Sequence, residues 1–426
     1  MCMNPAPNAK PAIDWRLFPC FGKSILDNDE YKLTMMQYAW KYFRGLNVRY
    51  HSTNRGKTPM PPEFVEAFRR QVQLYSEYIF ETDQISWLKK QGLFKDDFLD
   101  MLPDFHLNPN NVRAFIDDKG DFQIEVEGLW YQTILWEVPL LYIWSELYYE
   151  MTGKEADELV FTTHLEQKVH ALNAAGAKVI DFGSRRRRSF EHHFRMVKYY
   201  HLHAPKTFLG TSNMHIAYTL DIPMKGTFAH EAGMAMQAIF GVLGANEMLL
   251  RLWTDLYGDK LQIALTDTFT TDFFLESLPD DLAYQYIGFR QDSGDPFVIG
   301  WKFINFWLSK GIDPMTRTIV FSDALDDDKA IALLKEFGGI TNVVFGIGTF
   351  LSNDCGCKPL NIVIKLFEVE VEGEWVVVVK LSDTDGKHHG TTVAVEDAKG
   401  KILKFKKEEV PIVWKGLAKG WALAAA

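Results

Sequence analysis

Cysteine is scarce in this chain, with four residues in 426: Cys2, Cys20, Cys355 and Cys357. That number and spacing exclude a disulfide framework. Cys355-Gly-Cys357 also lacks the two-residue gap of a zinc knuckle or thioredoxin-type pair, so reduced thiols are expected. Positive charge is in deficit: the formal net charge is -10, which argues against a general nucleic-acid binder. Long hydrophobic runs are missing too. The most apolar stretch, residues 133–144, carries Glu137 and falls short of the roughly 20 residues a membrane span needs. No signal peptide opens the chain, whose first residues mix Pro, Asn and Lys. A cytoplasmic protein without membrane or nucleic-acid partners is expected.

What the chain does have is a series of seven short apolar runs, at 177–180, 207–209, 222–228, 261–265, 284–289, 318–321 and 342–345. Each ends in polar or small residues suited to chemistry. In order these are Asp181-Phe-Gly-Ser-Arg185, Gly210-Thr-Ser-Asn213, Ala229-His-Glu231, Thr266-Asp-Thr268, Arg290-Gln-Asp-Ser-Gly-Asp295, Ser322-Asp323 and Gly346-Ile-Gly-Thr349. Most gaps between the runs hold a helix, as parallel βα units require. In a (β/α) barrel the C-terminal strand ends meet on one face, so the seven tips are expected to converge. Outside this region the patterns predict helices at about 29–44, 61–80, 85–90, 96–101, 131–150 and 155–173. They also predict hairpins at 112–116/122–126 and 362–371/375–381, with further strands at 391–395 and 402–405.

The tips carry distinct chemistry, each with a plainer reading beside it. Arg290-Gln-Asp-Ser-Gly-Asp-Pro296 combines an arginine with two carboxylates around a glycine, a set that can hold an anion and a sugar diol or bind Mg²⁺ through water. The same string serves equally as an Asx turn before a helix. In Gly346-Ile-Gly-Thr349 the glycines let backbone N–H groups crowd a phosphate, and phosphate sites use the late βα loops of barrels. Arg185 and Arg186, nearest their strand tip, suit a carboxylate and a pyrophosphate, while Arg187 and Arg188 read as structural or exposed. Phe182 offers a flat face to a heteroaromatic ring. His230 can act as a nucleophile toward ATP if a neighbouring carboxylate fixes its tautomer, although a lone His-Glu pair is common by chance. His192, His193, His201, His203, His388 and His389 read as surface residues, because they lack the spacing of metal ligands.

Taken together these strings resemble the nicotinate phosphoribosyltransferase family, type II phosphoribosyltransferases of NAD biosynthesis. The likeness runs from about residue 26 to 380. It also draws on Asp27-Asn-Asp-Glu-Tyr-Lys32, Ile134-Leu-Trp-Glu-Val-Pro-Leu140, Gly226-Thr-Phe-Ala-His-Glu231 and Pro359-Leu-Asn-Ile-Val-Ile-Lys365. The fold expected is α/β, an irregular (β/α) barrel packed against an α+β sandwich domain formed by the N- and C-terminal segments. The expected division is a flexible segment 1–25, an N-terminal α+β domain 26–150, a barrel phosphoribosyltransferase domain 151–352, and a segment 353–426 that returns to the N-terminal domain.

The resemblance implies that nicotinate and phosphoribosyl pyrophosphate give nicotinate mononucleotide and pyrophosphate, coupled to ATP hydrolysis and requiring Mg²⁺. It implies a transient phosphohistidine at His230, supported by Glu231. Tyr31 and Phe182 would sandwich the pyridine ring, with Tyr31 contributed by the second subunit of a homodimer. Arg185, Arg186 and Arg290 would face the nicotinate and phosphoribosyl groups. Asp292 would hold the ribose hydroxyls, with Asp267 and Ser322 in the same pocket, Thr211 and Asn213 would contact the substrate, and Gly346, Gly348 and Thr349 would take the 5′-phosphate. The nearest rival is a nicotinamide phosphoribosyltransferase, in which an Asp follows the Gly-Thr pair. Here Thr211 is followed by Ser212-Asn213, which favours the anionic substrate. A non-catalytic nucleotide-binding relative should have lost His230, Asp292 or the Gly346–Thr349 turn, and none is lost.

Overall fold

The structure, a computed structural model, describes residues 14–408. Its strands are β1 (Asn47–Asn54), β2 (Val112–Ile116), β3 (Phe122–Leu129), β4 (Val179–Asp181), β5 (Phe208–Thr211), β6 (Ile263–Leu265), β7 (Gly288–Gln291), β8 (Thr318–Phe321), β9 (Asn342–Ile347), β10 (Ile362–Val371) and β11 (Glu374–Val377). They form two sheets in a mixed α/β architecture.

The first sheet has the order β5-β4-β9-β8-β7-β6, and every neighbouring pair is parallel. The strands are short and almost wholly apolar, as strands covered on both faces must be. Helices Phe190–His203, Pro296–Ser309 and Asp327–Phe337 make crossings between them. Each starts at a side-chain cap: Ser189 accepts from His192 N, Asp295 from Phe297 N and Val298 N, and Asp326 from Lys329 N. The ambiguous Asp-Ser-Gly-Asp-Pro string is therefore divided. Asp295-Pro296 caps a helix, which leaves Asp292 at the strand tip.

The run 222–228 departs from expectation. It forms no strand, only one parallel bridge between Met224 and Thr211. Pro223 has no N–H to give and Gly226 interrupts the run, so a ladder cannot extend through it.

The second sheet is antiparallel, in the order β11-β10-β1-β3-β2. The late hairpin thus lies beside strands from the start of the chain. Helices Phe64–Ser76 and Glu137–Thr152 cover it: the rings of Phe64, Phe68 and Trp144 lie 5.0, 5.1 and 4.7 Å from Phe122 of β3. Residues 1–13 of the expected flexible segment lie outside the described residues. Residues 14–25 run along helix Phe64–Ser76, with Phe21 N donating to Gln71 Oε1 at 3.0 Å and Ile25 fully buried.

The strands expected at 391–395 and 402–405 are instead one helix, Thr392–Glu408. The buried residues Val395, Ala398 and Ile402 recur at helical spacing, and that period outweighs the β-branched content of each short piece. Helix His230–Tyr257 is, among the described residues, the one long and apolar enough to cross a membrane by composition. Its backbone breaks at Gly241 (φ 73°, ψ 164°) and more than half of its apolar window is buried, so it packs as core.

Candidate active site

All six parallel strands end on the same side, and their tips build the site. The turn after β4 and the turn after β9 are locked together. Phe182 N donates to Ile347 O (2.9 Å), Ser352 Oγ to Gly183 O (2.7 Å) and Asn353 Nδ2 to Arg186 O (2.8 Å). Gly346 is required by this packing, since a Cβ there would stand 2.3 Å from the Phe182 ring. The helix after this turn is only Thr349–Ser352, so any anion binding rests on the open backbone rather than on a helix dipole.

At the adjoining tips His230 opens its helix with Nε2 2.8 Å from Asp267 Oδ1 and 3.8 Å from Asp292 Oδ2. Asp267 is fully buried, and its other oxygen accepts from Ser293 Oγ (2.5 Å) and Lys380 Nζ (2.8 Å). Burial works against ionisation of Asp267, but the His230 ring and the Lys380 ammonium hold it well below the usual carboxylate range. Burial and Lys380 push His230 below its ordinary value, so the ring is neutral near pH 7. A carboxylate that only accepts forces the proton onto His230 Nε2, which leaves Nδ1 with its lone pair. Asp292 Oδ1 accepts from Arg290 Nη2 (3.0 Å) and Ser322 Oγ (2.7 Å). Arg290 also donates to Ser322 Oγ (2.8 Å) and Thr227 Oγ1 (3.0 Å), and its guanidinium lies 5.4 Å from the Phe182 ring.

Two cavities share this face. The larger, 530 Å³, is lined by Phe182, Arg185, Arg186, Asp292, Ser322, Gly346, Gly348 and Thr349 of the expected residues. The smaller, 90 Å³, holds Tyr31, His230 and Glu231, and Arg185 forms a wall of both. Asp267 and Arg290 line neither; they brace His230 and Asp292 from behind.

Tyr31 lines the smaller cavity beside His230 and Arg185 of its own chain. Three expectations are corrected. Glu231 does not orient His230. Its carboxylate is buried on Lys32 Nζ, Tyr50 OH (2.5 Å) and Trp130 Nε1 (2.7 Å), and Asp267 is the orienting group instead. Thr211 and Asn213 are fully buried and face inward: Thr211 Oγ1 donates to Asp181 Oδ2 (2.6 Å) and Asn213 Nδ2 to Asp27 Oδ1 (2.8 Å). They line neither cavity, so the Ser212-Asn213 argument for substrate charge loses its ground. His192 and His193 are buried, with His193 Nε2 2.7 Å from Asp181 Oδ2. Arg187 is buried on Asp27 and Glu146, as a structural arginine would be.

Sequence reasoning missed the cationic lining supplied by the second sheet and its flanks. Arg55 and Lys387 line the larger cavity, and Lys365 and Lys380 the smaller. Burial, with Lys380 and Arg55 nearby, lowers Lys365 to about 7. The signal was present in β10, where buried Ile362, Ile364 and Leu366 alternate with the half-buried Val363 and Lys365.

This geometry agrees with comparisons to known proteins. Residues 177–406 match the model of the nicotinate phosphoribosyltransferase (NAPRTase) family, and residues 26–145 match its N-terminal domain. A nicotinate phosphoribosyltransferase of Chromohalobacter salexigens is 39% identical over 387 residues, 90% of this chain and 99% of its own length. One from Methanosarcina acetivorans is 38% identical over 397 residues, covering 88% and 97%. The crystal structure of nicotinate phosphoribosyltransferase from Porphyromonas gingivalis superposes with a TM-score of 0.87 at 33% identity, covering 89% of this chain and 99% of that one. The enzyme from Vibrio cholerae gives 0.85 at 32% identity, covering 92% and 96%. The chain belongs to the nicotinate phosphoribosyltransferase family.

Proposed function

We infer that this enzyme transfers the phosphoribosyl group of phosphoribosyl pyrophosphate to nicotinate, in NAD biosynthesis. The observation that carries the reading is the gathering of Phe182, Arg185, Asp292 and the Gly346–Thr349 turn around one cavity, with His230 on Asp267 at its edge. The nicotinate ring nitrogen attacks C1 of the ribose with its lone pair. The C1–O bond to pyrophosphate breaks, and the electron pair leaves with pyrophosphate. No general base is needed. Positive charge develops on the sugar and negative charge on the leaving group, where fixed cations are most effective. Arg55, Arg186, Lys365 and Lys387 are placed to supply that charge, and Arg185 to meet the nicotinate carboxylate. Phe182 and Tyr31 would hold the pyridine ring, and Gly346, Gly348 and Thr349 the 5′-phosphate.

ATP enters this reading through His230. Its unprotonated Nδ1 attacks the γ-phosphorus of ATP, the bond to ADP breaks, and water later releases phosphate. Mg²⁺ suits the same face. Asp292 Oδ2, 3.8 Å from His230 Nε2, is the carboxylate oxygen suited to hold it, since Asp267 is engaged by His230, Ser293 and Lys380 and a protonated Nε2 offers no lone pair. Bound there, Mg²⁺ would neutralise phosphate charge.

We read the six-stranded sheet with the 222–228 segment as an irregular (β/α) barrel. The antiparallel sheet with its helices is the sandwich-like α+β unit, built from 26–150 and 353–426 around a phosphoribosyltransferase unit at 151–352. The pairing of β10 with β1 supports that division. The same reading carries a homodimer in the cytoplasm, with Tyr31 contributed across its interface. Pyrophosphate release with nicotinate and the sugar donor, with and without ATP, tests the reading; no release in either condition refutes it.

A further inference from the structure

Behind Arg185 lies a buried ion cluster that the transfer reaction does not itself use. Lys32 Nζ bridges the carboxylates of Glu137 and Glu231. Glu137 Oε1 in turn lies 3.6 Å from Arg185 Nη1. The Lys32, Glu137 and Glu231 side chains are 0%, 11% and 6% exposed, while that of Arg185 is 43% exposed. Two cations and two carboxylates make the cluster neutral, the condition under which charges tolerate burial. Arg185 is its one member that opens into the larger cavity, where it stands beside Arg186 and Arg55. Burial and the Arg185 charge lower Arg186 to about 10, so the two guanidiniums repel one another. Glu137, fixed at the first turn of helix Glu137–Thr152, offers Arg185 the opposite charge.

From this geometry we infer that Glu137 is a positioning residue. It holds one edge of the Arg185 guanidinium so that the remaining donors face the substrate carboxylate, and through Lys32 it ties that arginine to Glu231, the neighbour of His230. The inference rests on the reading that Arg185 receives nicotinate.

The charge count says which variant to use. Glu137→Gln leaves Lys32 and Glu231 as a neutral buried pair and leaves Arg185 hydrated at the cavity mouth, so the fold survives. Steady-state kinetics on the full chain should show KM for nicotinate raised about five- to tenfold, the size of one partly exposed charge contact. kcat should stay within about twofold, and KM for phosphoribosyl pyrophosphate should change less than that for nicotinate. Preference for nicotinate over nicotinamide should narrow. Because Glu137 acts through Arg185, the double variant Arg185→Ala/Glu137→Gln should lose no more than Arg185→Ala alone.

Glu137→Asp, which keeps the charge but withdraws it by one methylene, should show a smaller rise of the same pattern; it replaces Glu137→Gln if that variant does not fold. An unchanged nicotinate KM in a folded Glu137 variant overturns the inference. So does an equal rise in both KM values alongside a lowered melting temperature, which marks a merely structural role. If Arg185→Ala itself leaves the nicotinate KM unchanged, the assignment of Arg185 fails, whatever Glu137 does.

Discussion

His230 Nε2 lies 2.8 Å from Asp267 Oδ1, and Asp267 has no water-exposed edge through which to lose its charge. The acid fixes the imidazole in one tautomer and one orientation, with Nδ1 free. Asp267→Asn can donate its own N–H to Nε2 and so favours the other tautomer. It should lower ATP-stimulated turnover by on the order of 10²- to 10⁴-fold. His230→Ala should abolish ATP hydrolysis and ATP stimulation, yet spare slow transfer without ATP. Full ATP-stimulated turnover in His230→Ala contradicts the assignment.

The same pair sets a pH dependence. Burial and Lys380 lower the His230 value, so the neutral ring persists below the ordinary imidazole range. The ATP-stimulated rate should hold down to about pH 6.5 and fall only at lower pH, as the ring takes a proton. For stability the sign is the same. The unfolded ring binds a proton first as pH drops, so His230 costs stability below about pH 6.5 and nothing above it. A fall in ATP-stimulated rate centred above pH 7, traced to His230 by its variant, contradicts this.

Lys365 titrates in the opposite sense for function. Burial with Lys380 and Arg55 brings it to about 7, so its positive charge weakens as pH rises through neutrality. KM for phosphoribosyl pyrophosphate should therefore climb between pH 6.5 and 8.5. Lys365→Arg, charged throughout, should flatten that climb, and Lys365→Met should raise KM at every pH. An identical pH profile in Lys365→Arg rules the residue out.

Gly346 is tested by adding one carbon. Its Cβ would meet the Phe182 ring at 2.3 Å, so Gly346→Ala must move the ring plate or the turn. KM for nicotinate should rise together with KM for the sugar donor, with about 1–3 kcal/mol of stability lost to overpacking. A rise in the sugar-donor KM alone indicates that Gly346 serves the phosphate without supporting Phe182.

Much of this site was legible because its residues occupy strand tips. A short continuous apolar run ending in a polar string marks where a parallel strand stops, and the placing of Phe182, Asp292, Ser322 and Gly346 at strand tips follows from that. Orientation at a tip is another matter. Thr211 and Asn213 stand at the end of β5, but Asp181 and Asp27 draw their side chains inward. Glu231 follows His230 in sequence, yet successive helix positions point about 100° apart, so it turns into the Lys32 cluster. Asp267 became the partner of His230 because the tip after β6 meets the start of helix His230–Tyr257, a relation between segments that local pattern does not carry. The cationic lysines arrive from the other sheet, Lys365 on β10 and Lys380 and Lys387 on the chain beyond β11. The tail 391–405 was misread because each short piece looked β-branched, while its helical period shows only across the whole length.

The most direct measurement compares product formation by the intact enzyme and by Asp292→Asn, each offered nicotinate and nicotinamide with phosphoribosyl pyrophosphate. The expected result is nicotinate mononucleotide from the intact enzyme, little or no product from nicotinamide, and turnover in Asp292→Asn reduced by at least about 10²-fold. Equal use of nicotinamide, or undiminished turnover in Asp292→Asn, contradicts a single site for sugar and pyridine acid at these strand ends.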